Sequence, residues 1–324
     1  MSRAARFFLP VLLLATLPRS GSAKGPANSP PVMRSIVVSV FDARGSAIAQ
    51  LSKESFRVRL NGKPVAVLDA RYSVAPRRIV ILLDMSGSMI GDNPKWMIAR
   101  DAVEDLPAQA PADAPVAMLT FAGGTQDVFD FPQGHKAIAK WLEGGPTQRP
   151  SLKQPARTAL FDGILEALRL LGAVQPGDAI YAITDGGENA SHASAAKARA
   201  AILQSGTRLF TFLFAEDLEP VWQREYRNFF LSIVDDSGGL SCGVAERPFR
   251  SWFDIEYAYG KDAREKAKLC TQGVGAQVRG SWTLDIETPP PERSRKVRLE
   301  VVSSEGRARK DVGIAYPRFL FAPK

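Results

Sequence analysis

Unbroken apolar runs along this chain alternate with stretches of helical period, and the alternation sets the expected fold. Residues 79–83, Ile-Val-Ile-Leu-Leu, carry no polar break, as a strand buried on both faces requires. Residues 115–121, 178–184 and 207–214 repeat the pattern, and 127–131 reads as a shorter edge strand. Between them, 94–106 has helical spacing, with Met97, Ile98, Ala102 and Val103 on one face and Pro94 near its start. A short helix is expected over 135–142. A strongly amphipathic one carries Leu160, Ile164, Leu165, Leu168 and Leu171. Further helices are expected over 195–203, 219–234 and 261–277, the last weakened by Gly273 and Gly275. This predicts an α/β fold, a doubly wound and mostly parallel sheet with helices on both faces.

The flanks have a different texture. Strand patterns cover 35–41 and 55–60, with a turn at 42–45. Asn61-Gly62 is the strongest short hairpin signal in the chain, and 65–68 follows as the expected partner strand. After the last helix, 281–286, 296–302 and 310–315 read as strands separated by Pro-rich and Ser-Glu-Gly turns. So few strands bury little at either end alone. The simplest arrangement packs 33–74 and 279–318 together as a small β-sandwich, with an α/β domain, 77–278, inserted between its halves.

Residues 1–23 read separately. Arg3 and Arg6 precede an apolar stretch over 7–17, and Gly21-Ser22-Ala23 ends it with small residues, the pattern of a secretory signal peptide. The stretch is shorter than the roughly 20 residues that span a bilayer, and no later segment is apolar enough to do so. Residues 24–32 are rich in Pro, Ser and Gly and read as a flexible leader. The expected location is secreted or periplasmic. The 324 residues, 45% hydrophobic and 23% charged, have the composition of a globular protein. Cleavage after Ala23 lowers the formal charge from +8 to +5. The basic residues are dispersed, apart from a concentration from Arg293 to Lys310 that reads as the solvent faces of two strands. Without interleaved aromatics it does not read as a nucleic-acid surface. Cys242 and Cys270 are the only cysteines. Their spacing leaves open both one disulfide and two buried thiols. His135 and His192 share no metal-ligand spacing and read as surface residues.

The candidate chemistry lies where apolar strands stop. Directly after 79–83 come Asp84, Ser86 and Ser88, with Gly87 to let the backbone turn. A carboxylate and two hydroxyls at alternate positions can converge on one point beyond the carboxyl end of a strand, where open α/β sheets bind ligands. Asp185 holds the equivalent place after the strand at 178–184. Thr158 stands where a loop gives way to the amphipathic helix, and helix capping is the alternative role for it. These are hard oxygen donors, which suit Mg²⁺, or Mn²⁺ as a substitute, better than Zn²⁺.

Asp-Met-Ser-Gly-Ser resembles the D-x-S-x-S opening of the metal-ion-dependent adhesion site in von Willebrand factor A-type domains. The run from Thr158 to Ile164 and the Thr-Asp-Gly at 184–186 resemble its two later elements, in the same order. Residues 42–45, 51–56 and 61–63 also resemble the segment before the A-type domain in a group of secreted bacterial proteins. The resemblance implies a metal held by Asp84, Ser86, Ser88, Thr158 and Asp185, with Asp162 in support. It implies a protein partner that presents an exposed Asp or Glu to the metal, hence cation-dependent recognition or adhesion, not catalysis. Two other readings stand beside it: a scaffold whose metal only stabilises loops, and a metal-dependent hydrolase. Against the hydrolase, the sequence offers no Ser–His or Cys–His arrangement and no phosphate-cradling loop.

Overall fold

The computed structural model describes residues 32–75, 77–90, 94–109, 114–144, 157–215, 221–245, 262–288 and 294–321. The expected signal peptide, nearly all of the expected leader, and much of the loop before Thr158 lie outside the described residues.

Six strands form the central sheet: β5 (Ile79–Asp84), β6 (Val116–Phe121), β7 (Thr125–Phe129), β8 (Ala179–Thr184), β9 (Arg208–Ala215) and β10 (Ser241–Ala245), in the order β10-β9-β8-β5-β6-β7. All neighbours are parallel except β6 and β7. Every residue of β5, β6 and β8 is buried, because helices cover both faces. Strand alternation sends Ile79, Ile81, Leu83, Tyr181, Phe210 and Phe212 to one face. There they meet α1 (Pro94–Gln109), α2 (Gly134–Gly144) and α6 (Ala263–Arg279). Val80, Leu82, Ala117, Leu119, Ile180 and Leu209 face the other way, against α3 (Leu160–Leu171), α4 (Ala195–Ser205) and α5 (Val221–Ser237). From β5 the chain goes to β6 on one side and only later to β8 on the other. The order of winding therefore reverses between β5 and β8, and the crevice at their carboxyl ends is the switch point of the sheet.

The N- and C-terminal strands form two four-stranded antiparallel sheets, β13-β1-β11-β4 and β14-β12-β2-β3. These are β1 (Val32–Phe41), β2 (Phe56–Leu60), β3 (Lys63–Val65), β4 (Val67–Ser73), β11 (Ser281–Thr288), β12 (Arg295–Val301), β13 (Gly313–Ala315) and β14 (Phe319–Leu320). Within them β1 pairs with β11 and β2 with β12, across more than two hundred residues of intervening chain. One core joins the sheets face to face: Ile36, Val38 and Val40 from β1, Phe56 and Val58 from β2, Trp282 and Leu284 from β11, Leu299 from β12. Burial alternates strictly along Phe-Arg-Val-Arg-Leu of β2, as a sheet with one wet face requires. Arg208, buried at the start of β9, donates to Ser39 Oγ of β1 at 2.9 Å and to the Gln277 carbonyl of α6 at 2.7 Å. One guanidinium thus ties the sandwich to the α/β layers.

Several details differ from the sequence reading. The hairpin at Asn61-Gly62 is present, with φ of 47° and 82°. Its second strand is β3, however, and not 65–68. The chain changes sheets at Ala66, and β4 continues to Ser73 beside β11. Two strands, β10 and β14, lie outside every stretch read as strand, and β13 begins only at Gly313. Cys242 of β10 and Cys270 of α6 form a disulfide. No helix among the described residues is long and apolar enough to cross a membrane.

Candidate metal centre

Four of the five predicted site residues meet by direct contact at the switch point. Asp84, the last residue of β5, is wholly buried. Its Oδ1 accepts the Ser86 N–H at 2.8 Å, which folds the chain sharply away from the strand, and Met89 N closes the turn on the Ser86 carbonyl at 2.9 Å. The turn places Ser86 Oγ 3.2 Å from Ser88 Oγ, and Ser88 Oγ donates to Asp185 Oδ2 at 2.6 Å. Gly87 and Ser88 are exposed, whereas Asp84, Ser86 and Asp185 are buried. The cluster therefore has a buried floor and opens to solvent along one edge.

Asp185 follows β8 directly. Thr184 Oγ1 donates to Asp84 Oδ2 at 2.6 Å and accepts Gly186 N–H at 3.0 Å, locking the two carboxylate-bearing loops together. Gly186 has φ +77°, and a Cβ there would come within 3.1 Å of Leu213 and Arg227, so both conformation and space demand glycine. Asp185 Oδ1 accepts Gly187 N–H at 3.1 Å.

Thr158, the fifth residue, stands apart from that chain of contacts, on the far side of Gly187 from Asp185. A Cβ built on Gly187 would lie 3.2 Å from Asp185 Oδ1 and 3.6 Å from Thr158 Oγ1. Thr158 does not cap α3, whose N-cap position is Ala159. Its backbone is held instead by Asn189, whose Oδ1 accepts Thr158 N–H at 2.9 Å and whose N–H bonds the Thr158 carbonyl at 3.0 Å. Glu188 adds a second tie: its carboxylate accepts Phe161 N–H at 3.1 Å and Ser191 Oγ at 2.7 Å.

Asp162 departs from expectation. Its carboxylate accepts the backbone N–H groups of His192 at 2.8 Å and Ala193 at 2.9 Å, and so holds the loop before α4 without touching a predicted ligand. Thr184, Glu188 and Asn189 make the hydrogen bonds that reach Asp84 and the Thr158 loop. The sequence reading also passed over Lys95, in the first turn of α1. Its side chain is fully buried, and Nζ lies 3.0 Å from Asp185 Oδ2. A lysine at a helix start ordinarily reaches for water, so only the fold shows this one turned inward. Thr184 and Asn189 were detectable as polar neighbours of Asp185 in Thr-Asp-Gly-Gly-Glu-Asn.

Burial, and after it the charge of Asp185, pushes the Asp84 carboxyl up to about 7, against the pull of Thr184 and Ser86. Two carboxylates crowded in a dry crevice favour a cation between them. The donor set suits a hard one. Adjacent oxygens around an octahedral Mg²⁺ stand about 3 Å apart, and the Ser86–Ser88 and Ser88–Asp185 separations of 3.2 and 2.6 Å bracket that spacing. Among the described residues, no three of His, Cys, Asp and Glu cluster in a metal-binding arrangement, here or elsewhere. The candidate site offers two carboxylates and neutral hydroxyls.

Beside the cluster, α5 and the loop before α4 enclose a cleft of about 820 Å³, lined in part by Phe161, Asn189, His192, Trp222 and Tyr226. Trp222 and Tyr226 are 49% and 42% exposed, and they pack edge to face against each other. Asn189 both lines the cleft and holds Thr158, so the two features adjoin.

No protein-family model matches the chain, and no curated protein sequence matches it. Among solved structures it is similar to the conserved hypothetical protein BatB from Bacteroides thetaiotaomicron, at 19% identity over 63% of this chain and 99% of that one, with TM-score 0.44. It is also similar to an aerotolerance-related membrane protein from Bacteroides fragilis NCTC 9343, at 20% identity over 62% and 98%, with TM-score 0.42. A von Willebrand factor type A protein from Catenulispora acidiphila aligns over 93% of this chain and 76% of its own, at 14% identity and TM-score 0.41.

Proposed function

We propose that this chain is an exported protein with a von Willebrand factor A-type domain, and that it recognises protein partners through a divalent cation at the β5–β8 crevice. The observation that carries the reading is the convergence of Asp84, Ser86, Ser88 and Asp185 at the switch point, with Thr158 close by across Gly187. These five residues would hold Mg²⁺, or Mn²⁺ in its place. When bound, the ion supplies an electrophilic centre for a carboxylate oxygen of the partner.

The chain's own groups do the rest. Asp84 and Asp185 balance the ion's charge. The serine and threonine hydroxyls add oxygen without further negative charge, which leaves the site attractive to an acidic side chain. Thr184, Asn189 and Glu188 fix the three loops so that the donors are in place before a partner arrives. The exposed edge at Ser88 gives the partner its approach. Residues flanking the partner's Asp or Glu would lie against Trp222 and Tyr226 in the adjoining cleft. Recognition is preferred to turnover because the serine hydroxyls contact each other and a carboxylate, an arrangement suited to ligation. The Cys242–Cys270 disulfide suits an oxidising compartment and accords with export.

The test is a library of short peptides differing only by Glu or Gln at one position, presented to the protein in Mg²⁺ and in EDTA. The expected result is capture of Glu peptides in Mg²⁺ and of neither set in EDTA. Equal capture of Gln peptides, or capture that survives EDTA, would contradict it.

A further inference from the structure

Lys95 brings a cation into contact with the cluster. Its four-carbon stem and ammonium are fully buried, and Nζ shares Asp185 Oδ2 with the Ser88 hydroxyl, at 3.0 and 2.6 Å. Lysine seldom accepts such a place, since an ammonium withdrawn from water loses its hydration and its long stem usually lets the head escape. Here it holds the second position of a sixteen-residue helix and turns inward to the carboxylate oxygen that Ser88 also contacts.

The charge arithmetic gives this placement a consequence. Asp84 and Asp185 alone would carry two negative charges, which a divalent ion would cancel. With Lys95 the three groups carry one, and the same ion would leave the site with a positive charge. We infer that Lys95 is a tethered counter-cation that weakens divalent-ion affinity and keeps the loaded site positive toward a partner's carboxylate. It is a positioning residue acting through Asp185. The inference rests on the reading of the cluster as a divalent-cation site. It adds to the neutral hydroxyl ligands a second reason for the site to prefer an anionic partner although its two acidic ligands already neutralise the metal.

Lys95 could instead serve only to seat α1 on the sheet, and the two roles predict opposite results. If it is a counter-cation, neutralising it raises metal affinity. If it is only structural, neutralising it leaves affinity unchanged or lowers it as Asp185 loses its anchor. The experiment is calorimetric titration of Mg²⁺ and Mn²⁺ into EDTA-stripped full-length protein, wild type, Lys95→Gln, Lys95→Met and Lys95→Arg, with circular dichroism to verify folding. Lys95→Gln can still donate to Asp185, which guards against a variant that merely fails to fold.

The expected result is about tenfold or greater tightening in Lys95→Gln and Lys95→Met, with Lys95→Arg within about threefold of wild type. Binding by wild type with no tightening in a folded Lys95→Gln would overturn it while leaving the metal site intact. Absence of binding in every variant would overturn the metal reading, and this inference with it.

Discussion

Replacing Thr184 with Val keeps the shape of a wholly buried side chain and deletes one hydroxyl. That hydroxyl donates to Asp84 Oδ2 at 2.6 Å and accepts from Gly186 N–H at 3.0 Å, with all three residues buried. Above about pH 8 the Asp84 carboxyl is ionised; there a hydrogen bond to a charged group is worth about 1.5–3 kcal/mol, and a buried amide left without a partner costs about 1–3 kcal/mol more. The expected loss is therefore about 3–5 kcal/mol, a large share of an ordinary domain's stability. In a chain of this size that corresponds to a fall in melting temperature of roughly 10 °C. Thermal unfolding in EDTA, followed by circular dichroism, measures it. Thr184→Ser, which keeps the hydroxyl, should recover most of the loss. A Val variant within about 1 kcal/mol of wild type, or a Ser variant as damaged as Val, would refute the reasoning.

Further expectations follow from the same geometry. Because burial raises the Asp84 carboxyl above its unfolded value, the native state retains a proton that the unfolded chain has released between about pH 4 and 7. Stability in EDTA should therefore fall as pH rises through that window, and Asp84→Asn should flatten the profile; a wild-type profile already flat there would count against the crowded-carboxylate picture. Cys242→Ser with Cys270→Ser opens a loop of 28 residues in sequence separation, at an expected cost of about 3–4 kcal/mol read by urea unfolding; no change in midpoint would deny the bond a stabilising role. Trp222→Ala should weaken capture of Glu peptides by about tenfold while leaving Mg²⁺ titration unchanged, and unchanged capture would remove the cleft from the partner surface.

The parallel strands were legible because of where they lie. A strand covered on both faces needs apolar side chains throughout, so β5, β6, β8 and β9 stand out as continuous runs, each close to its expected limits. β10 was not legible, because Ser-Cys-Gly-Val-Ala reads as a loop. Its glycine is there because of a close approach, since a Cβ on Gly243 would come within 2.1 Å of the Leu213 carbonyl oxygen on the neighbouring strand. β4 was obscured by a change of sheet at Ala66, which local alternation cannot show. At the candidate site, Asp84 and Asp185 could be found because each terminates an apolar run. Lys95 could not, since its inward course depends on how α1 is set against the sheet. The partners of Asp162 were not legible for a related reason: it lies one turn of helix beyond Thr158, and its carboxylate reaches the backbone at His192.

The central claim is that the oxygen cluster between β5 and β8 holds a divalent cation. Calorimetric titration of Mg²⁺ and Mn²⁺ into EDTA-stripped wild type, Asp84→Ala and Thr158→Ala tests it most directly. The account predicts saturable binding at a single site in wild type, abolished in Asp84→Ala and weakened at least about tenfold in Thr158→Ala, with both variants retaining their circular dichroism spectra. Binding that persists unchanged in a folded Asp84→Ala, or a folded wild type that takes up neither ion, would contradict it.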